Sequence, residues 1–249
     1  MGKGMTRRER WEARYWKLQK KIVPELEYSQ SFYERLLAQY VDADTLWLDA
    51  GTGQQILPEW ENAREQALVK TARTVIGVDL EFKSRTHTSI SLLVRADIEK
   101  LPFADNSFNL VTCNMVVEHL ENPVAVFKEF HRVLTPGGHV IIHTPNIYGY
   151  VAGTARLLPR GLKEKVIGAI EGRSAGEIFP AHYRANTSRG LDLALTTAGL
   201  RRERFSHLAS TGQLLFSLIL LTIELHYLKI ILKPAFKQLR TSLLCVYTK

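Results

Sequence analysis

Cysteine is almost absent from this 249-residue chain, which has only Cys113 and Cys245. Two thiols cannot build a disulfide framework or a four-thiolate zinc site. Both sit in apolar runs, LVTCNMV and SLLCVYT, where buried, reduced thiols are expected. The first residues, MGKGMTRRERWEARYW, carry charge with no apolar stretch behind them, so a secretory signal is not expected and a reduced, cytoplasmic setting is. Sixteen glycines and nine prolines are too few for a collagen-like chain or a linker array, and neither internal repeats nor low-complexity segments occur. With 45% hydrophobic residues, the chain is long enough to bury a substantial core in one large domain or two small ones.

The formal net charge of +8 is unevenly spread. Residues 1–21 hold eight Lys/Arg and two Glu, residues 201–249 hold the same, and residues 22–200 are left with a net −4. Uniform basicity would suggest nucleic acid, whose binding begins with phosphate electrostatics; an acidic centre between cationic ends does not, and no nucleic-acid partner is expected. The ends suit an anionic membrane surface, or solubility alone.

Residues 5–40 read as helical, with Trp11, Tyr15, Leu18 and Ile22 at three- and four-residue spacing and an interruption at Pro24. Thereafter TLWLDA, TVIGVDL, SLLVRAD, NLVTCNM and GHVIIHTP are short, β-branched apolar runs of the kind that form buried parallel strands. Helical patterns lie between them, most clearly NPVAVFKEFHRVL, with Val124, Phe127 and Val133 on one stripe. Parallel strands need crossover helices, so the pattern predicts a doubly wound, Rossmann-like α/β sheet. A further helix (SRGLDLALTTAGL), a strand near 200–207 and a last run, LLCVYTK, follow.

Ligands bind such sheets beyond the carboxyl ends of the strands. The first strand ends in Asp49-Ala50-Gly51-Thr-Gly53, where the glycines let backbone approach a ligand without an intervening Cβ. The second ends at Asp79, a carboxylate able to accept hydrogen bonds from both hydroxyls of a ribose. The third ends at Asp97, where an adenine amine could donate.

Together with LPFADNSFNLVTCNMVVEHLENP and RVLTPGGHVIIHTPN, this order resembles the class I S-adenosylmethionine-dependent methyltransferases, in particular the type 11 branch that includes ubiquinone-pathway-like enzymes. The resemblance is strong over residues 45–147 and looser over HYRANTSRGLDLALTTAGL. It implies a mostly parallel seven-stranded sheet and S-adenosyl-L-methionine as cofactor. It also implies cofactor-binding roles for Asp49, Ala50, Gly51 and Gly53, for Asp79 and Leu80, for Asp97 and Ile98, and for Asn114 beside the methionine moiety. Two positions depart from the family pattern: Gln55 stands where a third glycine is common, and Asn109 where an acid is common. A dinucleotide enzyme is the alternative for a glycine loop on this sheet. Its G-x-G-x-x-G fingerprint needs a third glycine where Ile56 stands, and its pyrophosphate would meet an acidic edge. A second alternative is a membrane-associated protein that keeps the fold without chemistry.

Methyl transfer to a hydroxyl benefits from a general base, and histidine suits that work. His119, in VVEHLENP, is one candidate; the competing reading has it packing or capping the helix that starts near Pro123. His182, in IFPAHYRANT, belongs to a segment expected to cover the pocket, as lid or as structural residue. His139 and His143 share a strand face without a nearby cysteine or carboxylate pair, and no metal is expected. Residues 1–40 are expected to form a helical lid on a methyltransferase domain spanning 41–249. Within that domain, 148–185 is an acceptor-side insertion carrying Tyr148, Tyr150 and several cations, suited to a small or lipid-like acceptor methylated at oxygen.

Residues 212–240 form an apolar helical insertion before the last strand. Leu214 to Leu232 is 19 residues, close to a bilayer span, but Glu224 lies at its middle. Thr222, His226, Lys229 and Lys233 fall on one stripe, the form of an in-plane interfacial helix. Peripheral contact of 213–236 with the cytoplasmic membrane face, burial in the fold and a dimer interface are the readings this segment allows. Gly2 and Thr6 also fit the short myristoylation pattern.

Overall fold

A computed structural model describes residues 7–81, 87–157, 180–210 and 217–249. The Gly2/Thr6 pattern, most of the 148–185 insertion and residues 211–216 lie outside them.

Two helices, α1 (Arg7–Ile22) and α2 (Ser29–Leu37), precede the sheet and are separated at Pro24. The strands are β1 (Leu46–Ala50), β2 (Thr74–Asp79), β3 (Leu92–Arg95), β4 (Phe108–Asn114), β5 (Leu134–Pro145), β6 (Arg201–Leu208) and β7 (Ser242–Thr248). Helix α3 (Asn62–Thr71) connects β1 to β2, and α4 (Pro123–Val133) connects β4 to β5. Helices α5 (Tyr150–Leu157) and α6 (Ser188–Thr197) lie between β5 and β6, and α7 (Leu218–Ile231) lies between β6 and β7. The sheet order is β3-β2-β1-β4-β5-β7-β6, with β7 antiparallel to both neighbours and the other paired strands parallel. This is the Rossmann-like, mostly parallel sheet expected from the strand pattern.

Local chemistry accounts for the helix starts. Asn122 caps α4 by accepting the Ala125 N–H, with Pro123 in the first turn where no donor is needed. Thr187 and Ser217 cap α6 and α7 in the same way. One face of the sheet buries Val111, Cys113, Val140 and Ile142 with Phe127 and Phe130 of α4 and Leu191 and Leu195 of α6. The other buries Trp47, Leu110 and Ile141 with Tyr33, Leu36 and Leu37 of α2. Both cysteines are free and buried, and burial raises the pKa of each thiol. A third, separate cluster joins α1 to α7 through Tyr15, Val23, Leu221, Leu225, Leu228 and Ile231. No helix among the described residues is long and apolar enough to cross a membrane.

Candidate active site

The chemistry-bearing residues gather at the carboxyl ends of β1, β2, β3 and β4. Where β1 ends, the chain turns through Gly51 at φ +74° and Gly53 at φ +55°, a left-handed region that L residues adopt at a cost. The turn is anchored on the next strand: Gly51 and Thr52 donate their N–H groups to the Val78 carbonyl at 2.8 and 3.1 Å. A Cβ on Gly51 would lie 2.4 Å from Cγ2 of Val116, so the loop is seated directly on the segment that follows β4. At Gly53 a Cβ would meet nothing within 4 Å. That side of the loop is an open cradle.

Asp79 closes the loop from the β2 side. Its Oδ2 accepts the Gly53 N–H at 2.9 Å and its Oδ1 accepts the Glu81 N–H at 3.1 Å. The carboxylate is thereby held in one orientation, with acceptor capacity left over, since two oxygens offer about four lone-pair sites. Leu80, next in sequence, is 57% exposed. Asp97 is exposed beyond β3 and accepts the Glu99 N–H at 2.8 Å. Ile98 is buried in the first core cluster and Ala50 in the same one.

Asp49 sits deeper, 3% exposed, beneath the loop. It is in register with Thr112 of β4, whose hydroxyl donates to it and accepts the Trp47 indole N–H at 2.6 Å. Burial pushes its carboxyl up to about 6; Glu65 and Asp79 push the same way, and the Thr112 hydroxyl acts against them. Asn114, at the end of β4, joins three elements. It donates to the Ile56 carbonyl at 3.0 Å, exchanges hydrogen bonds with Gln30 of α2, and its Oδ1 faces Nδ1 of His143 at 2.9 Å. His143 stacks on Tyr33 of α2, and burial lowers its pKa to about 4, so the ring is neutral. Met115 follows at φ +57°, a strained conformation of the kind that collects at working sites.

Both candidate histidines lie next to this edge. His119 ends a short 3-10 turn, Val117–His119, with Nδ1 2.9 Å from the Pro180 carbonyl and Nε2 4.0 Å from Glu118 Oε1. A carbonyl only accepts, so Nδ1 carries a proton, and in the neutral ring Nε2 is the acceptor nitrogen. The Glu118 carbonyl accepts the N–H groups of His182 and Tyr183 at 2.7 and 3.0 Å, which draws the two histidine segments together. The His182 side chain turns to Glu121, 3.4 Å away. Glu118 itself is buried and accepts from Thr144 at 3.0 Å.

Several partners were not singled out in the sequence. Thr112 and Gln30 carry no motif; only register, for Thr112, would have found one of them. Glu65, buried on α3, accepts the Leu57 N–H at 2.7 Å and the Thr88 hydroxyl at 2.7 Å, bracing the end of the glycine loop. Asn109, standing where the family often has an acid, accepts the Leu46 N–H at 2.8 Å and donates to the Asp44 carbonyl at 3.1 Å, fixing the entry of β1. Gln55 is exposed, and Ile56 is buried at the position where a dinucleotide fingerprint would place glycine. Among the described residues, no three His, Cys, Asp or Glu side chains converge as a metal site would need.

Residues 48–142 match the family described as "Methyltransferase domain". A malonyl-[acyl-carrier protein] O-methyltransferase of Marinomonas sp. is 34% identical over 123 residues, 47% of this chain and 45% of that protein. A ubiquinone/menaquinone biosynthesis C-methyltransferase of Neisseria meningitidis is 47% identical over 47 residues, 19% of each chain. The chain thus covers under half the length of these relatives. The crystal structure of an S-adenosylmethionine-dependent methyltransferase from Mesorhizobium loti aligns over 87% of this chain and 96% of that one, with a TM-score of 0.55 at 20% identity, a likeness of fold. The domain match begins in β1 and ends in β5, and so takes in the glycine loop, Asp79, Asp97 and the turn bearing His119. Over residues 48–142, then, the chain carries a methyltransferase domain, set in a sheet that shares the fold of an S-adenosylmethionine-dependent methyltransferase.

Proposed function

We propose that the protein transfers the methyl group of S-adenosyl-L-methionine to an oxygen of a small or lipid-like acceptor. The observation that carries this is the Gly51–Gly53 turn, open on its Gly53 side and pinned by the Asp79 carboxylate. A cradle of bare backbone flanked by carboxylates suits a cationic nucleoside better than a phosphate-bearing one. In this reading Asp79 holds the ribose hydroxyls, exposed Leu80 lies against the adenine, and Asp97 with the adjoining Ile98 backbone meets the adenine edge. Asp49, Ala50, Gly51, Gly53 and Asn114 line the methionine moiety.

When bound, the cofactor supplies an activated methyl on a sulfonium, so the protein has mainly to align a nucleophile and exclude water. His119 is the proposed base: Nε2 takes the hydroxyl proton, and Glu118 at 4.0 Å stabilises the imidazolium that results. His182 is proposed as a lid residue whose backbone is tied to the Glu118 carbonyl. Residues 1–40 are proposed as the lid over a domain of residues 41–249, the Gln30–Asn114 contact setting the start of α2 beside the end of β4. The acceptor meets the 148–185 insertion, and residues 213–236 touch the cytoplasmic membrane face peripherally.

Relatives named for both O- and C-methylation match this chain, so the acceptor atom calls for its own test. Purified protein is incubated with methyl-labelled cofactor and fractionated cell extract. Label in an ester or ether of an apolar product supports the reading. Label on carbon overturns the assignment to oxygen, and failure to bind S-adenosylhomocysteine overturns the whole.

A further inference from the structure

Helix α7 has two apolar faces, and among the described residues only one of them is packed in a core cluster. Leu221, Leu225, Leu228 and Ile231 are buried against α1 in the third cluster. On the opposite side Ile219 is 74% and Ile223 60% exposed, and Ile230 is exposed as well. At about 100° per residue these three fall within roughly 40° of one another. Lys229 and Lys233 lie on one flank of this stripe, and exposed Phe236 follows in the 3-10 turn Pro234–Leu239.

The sequence places an acid, Glu224, in the middle of this segment, where it would oppose contact with lipid. The structure turns it inward: Glu224 is 4% exposed and accepts the hydroxyl proton of Tyr150 from α5. The described outer surface of α7 therefore carries no carboxylate. Exposed isoleucines flanked by lysines, with no acid on the described outer face of α7, are the composition of an interfacial helix on anionic lipid.

We propose that the outer face of α7, flanked by Lys229 and Lys233, docks the protein on an anionic lipid bilayer surface. The occupant is argued from charge: a second copy of this chain would bring cations against cations. The inference rests on the reading of a lipid-like acceptor and gives it a route. Tyr150 begins α5 just after β5, hydrogen-bonds Glu224 and packs edge-on against Tyr227 of α7 at 5.4 Å. The docking helix is thus joined to the start of the acceptor-side insertion.

The test uses the whole protein without methyl donor or acceptor. Its sedimentation is followed with vesicles of phosphatidylcholine alone, or mixed with phosphatidylglycerol, at about 0.05 M and about 0.5 M salt, between which the screening length falls several-fold. The expected result is binding to the mixed vesicles at low salt, weakened at high salt and negligible on phosphatidylcholine alone. Ile223→Glu lowers partitioning at least tenfold. Lys229→Gln and Lys233→Gln each lower it about fivefold, the usual contribution of one cation at an anionic surface. All three positions are exposed, so S-adenosylhomocysteine affinity stays unchanged in each variant and reports an intact fold. No binding to mixed vesicles at low salt, equal binding to both lipids, or light scattering that shows a dimer closed over Ile223 would each overturn the proposal. Loss of cofactor binding in the unaltered protein would instead overturn the methyltransferase reading and leave the vesicle result standing.

Discussion

Alanine at Gly51 and at Gly53 is chemically the same change, yet the two sites predict different outcomes. Both residues have positive φ, so both variants bear the left-handed penalty of an L residue, about 1–2 kcal/mol. At Gly53 that is the whole cost to stability, since the new methyl meets nothing within 4 Å. At Gly51 the methyl falls 2.4 Å from Cγ2 of Val116, 3.0 Å from Cγ1 and 3.3 Å from Cβ. Rotating a β-branched side chain about χ1 does not relieve a contact that includes its Cβ, so the backbone must shift, which adds about 1–3 kcal/mol of overpacking. Gly51→Ala should then lose roughly 2–5 kcal/mol in urea unfolding against about 1–2 for Gly53→Ala. Adding Val116→Ala removes the 2.4 and 3.0 Å contacts and leaves the 3.3 Å one at Cβ, so it should return most of the overpacking part, a coupling of about 1–2 kcal/mol. Ligand affinity should rank the other way per unit of lost stability. The open side of Gly53 is where the cofactor would lie, so Gly53→Ala weakens S-adenosylhomocysteine binding at least tenfold while the fold stands. Equal stability losses at the two glycines, or strict additivity with Val116→Ala, would refute the seating of the loop on the segment after β4.

Asp79→Ala removes charge-assisted hydrogen bonds worth about 1.5–3 kcal/mol, so calorimetry should show S-adenosylhomocysteine affinity falling about ten- to a hundredfold; unchanged affinity in a folded variant sinks the ribose assignment. His119→Ala should lower turnover a hundredfold or more with cofactor affinity intact; a drop in melting temperature with normal turnover assigns the residue to structure instead. Asp49, at about 6 in the fold against 3.8 ordinarily, binds its proton more tightly folded than unfolded, so stability falls by on the order of 3 kcal/mol as pH rises from about 4 to about 6. Asp49→Asn should therefore raise the urea midpoint at pH 7 and leave it unchanged at pH 4. His143 acts oppositely: lowered to about 4 from 6.5, its neutral ring contributes stability that is lost as pH falls through that window. His143→Gln should make the fold less sensitive to acid, and an unaltered acid profile would contradict its burial as a neutral ring.

The sheet was legible because buried parallel strands are written in the sequence as uninterrupted β-branched runs, and β1, β2, β4 and β5 read that way. Edge strand β3 is shorter than its SLLVRAD pattern, pairing only over Leu92–Arg95. Beyond Arg95 the chain leaves β2, and the Ala96 N–H bonds the last residue of that strand, Asp79, through its carbonyl. Strand β5 is longer than GHVIIHTP, beginning at Leu134. The extension spans the Thr-Pro-Gly-Gly turn, whose residues carry no strand preference and are drawn into pairing by Phe108 of β4 and by the final residues of the chain. The glycines were legible as well, since positive φ restricts the choice of residue, and so was the place of Asp49, Asp79 and Asp97 at or just beyond the strand ends. Thr112, Gln30 and Glu65 were not. Their contribution depends on which strand or helix lies opposite, and no local spacing records that.

The same distinction explains Glu224. In sequence, an acid at the centre of a 19-residue apolar run counts against every membrane reading, because the cost of a charge in lipid is assigned wherever the charge stands. On a helix the cost depends on azimuth. Glu224 lies on the side that faces α1 and α5, where Tyr150 donates to it, and the lysines at 229 and 233 lie on the side that faces water. A residue that appears to interrupt the apolar segment is in the fold the polar link between α7 and α5. Its removal tests this separately from any lipid. Glu224→Gln keeps an acceptor for the Tyr150 hydroxyl and should cost little, whereas Glu224→Leu removes that acceptor and should cost about 1–3 kcal/mol. If the leucine variant is as stable as the unaltered protein in urea unfolding, the Tyr150–Glu224 link does not hold α5 to α7.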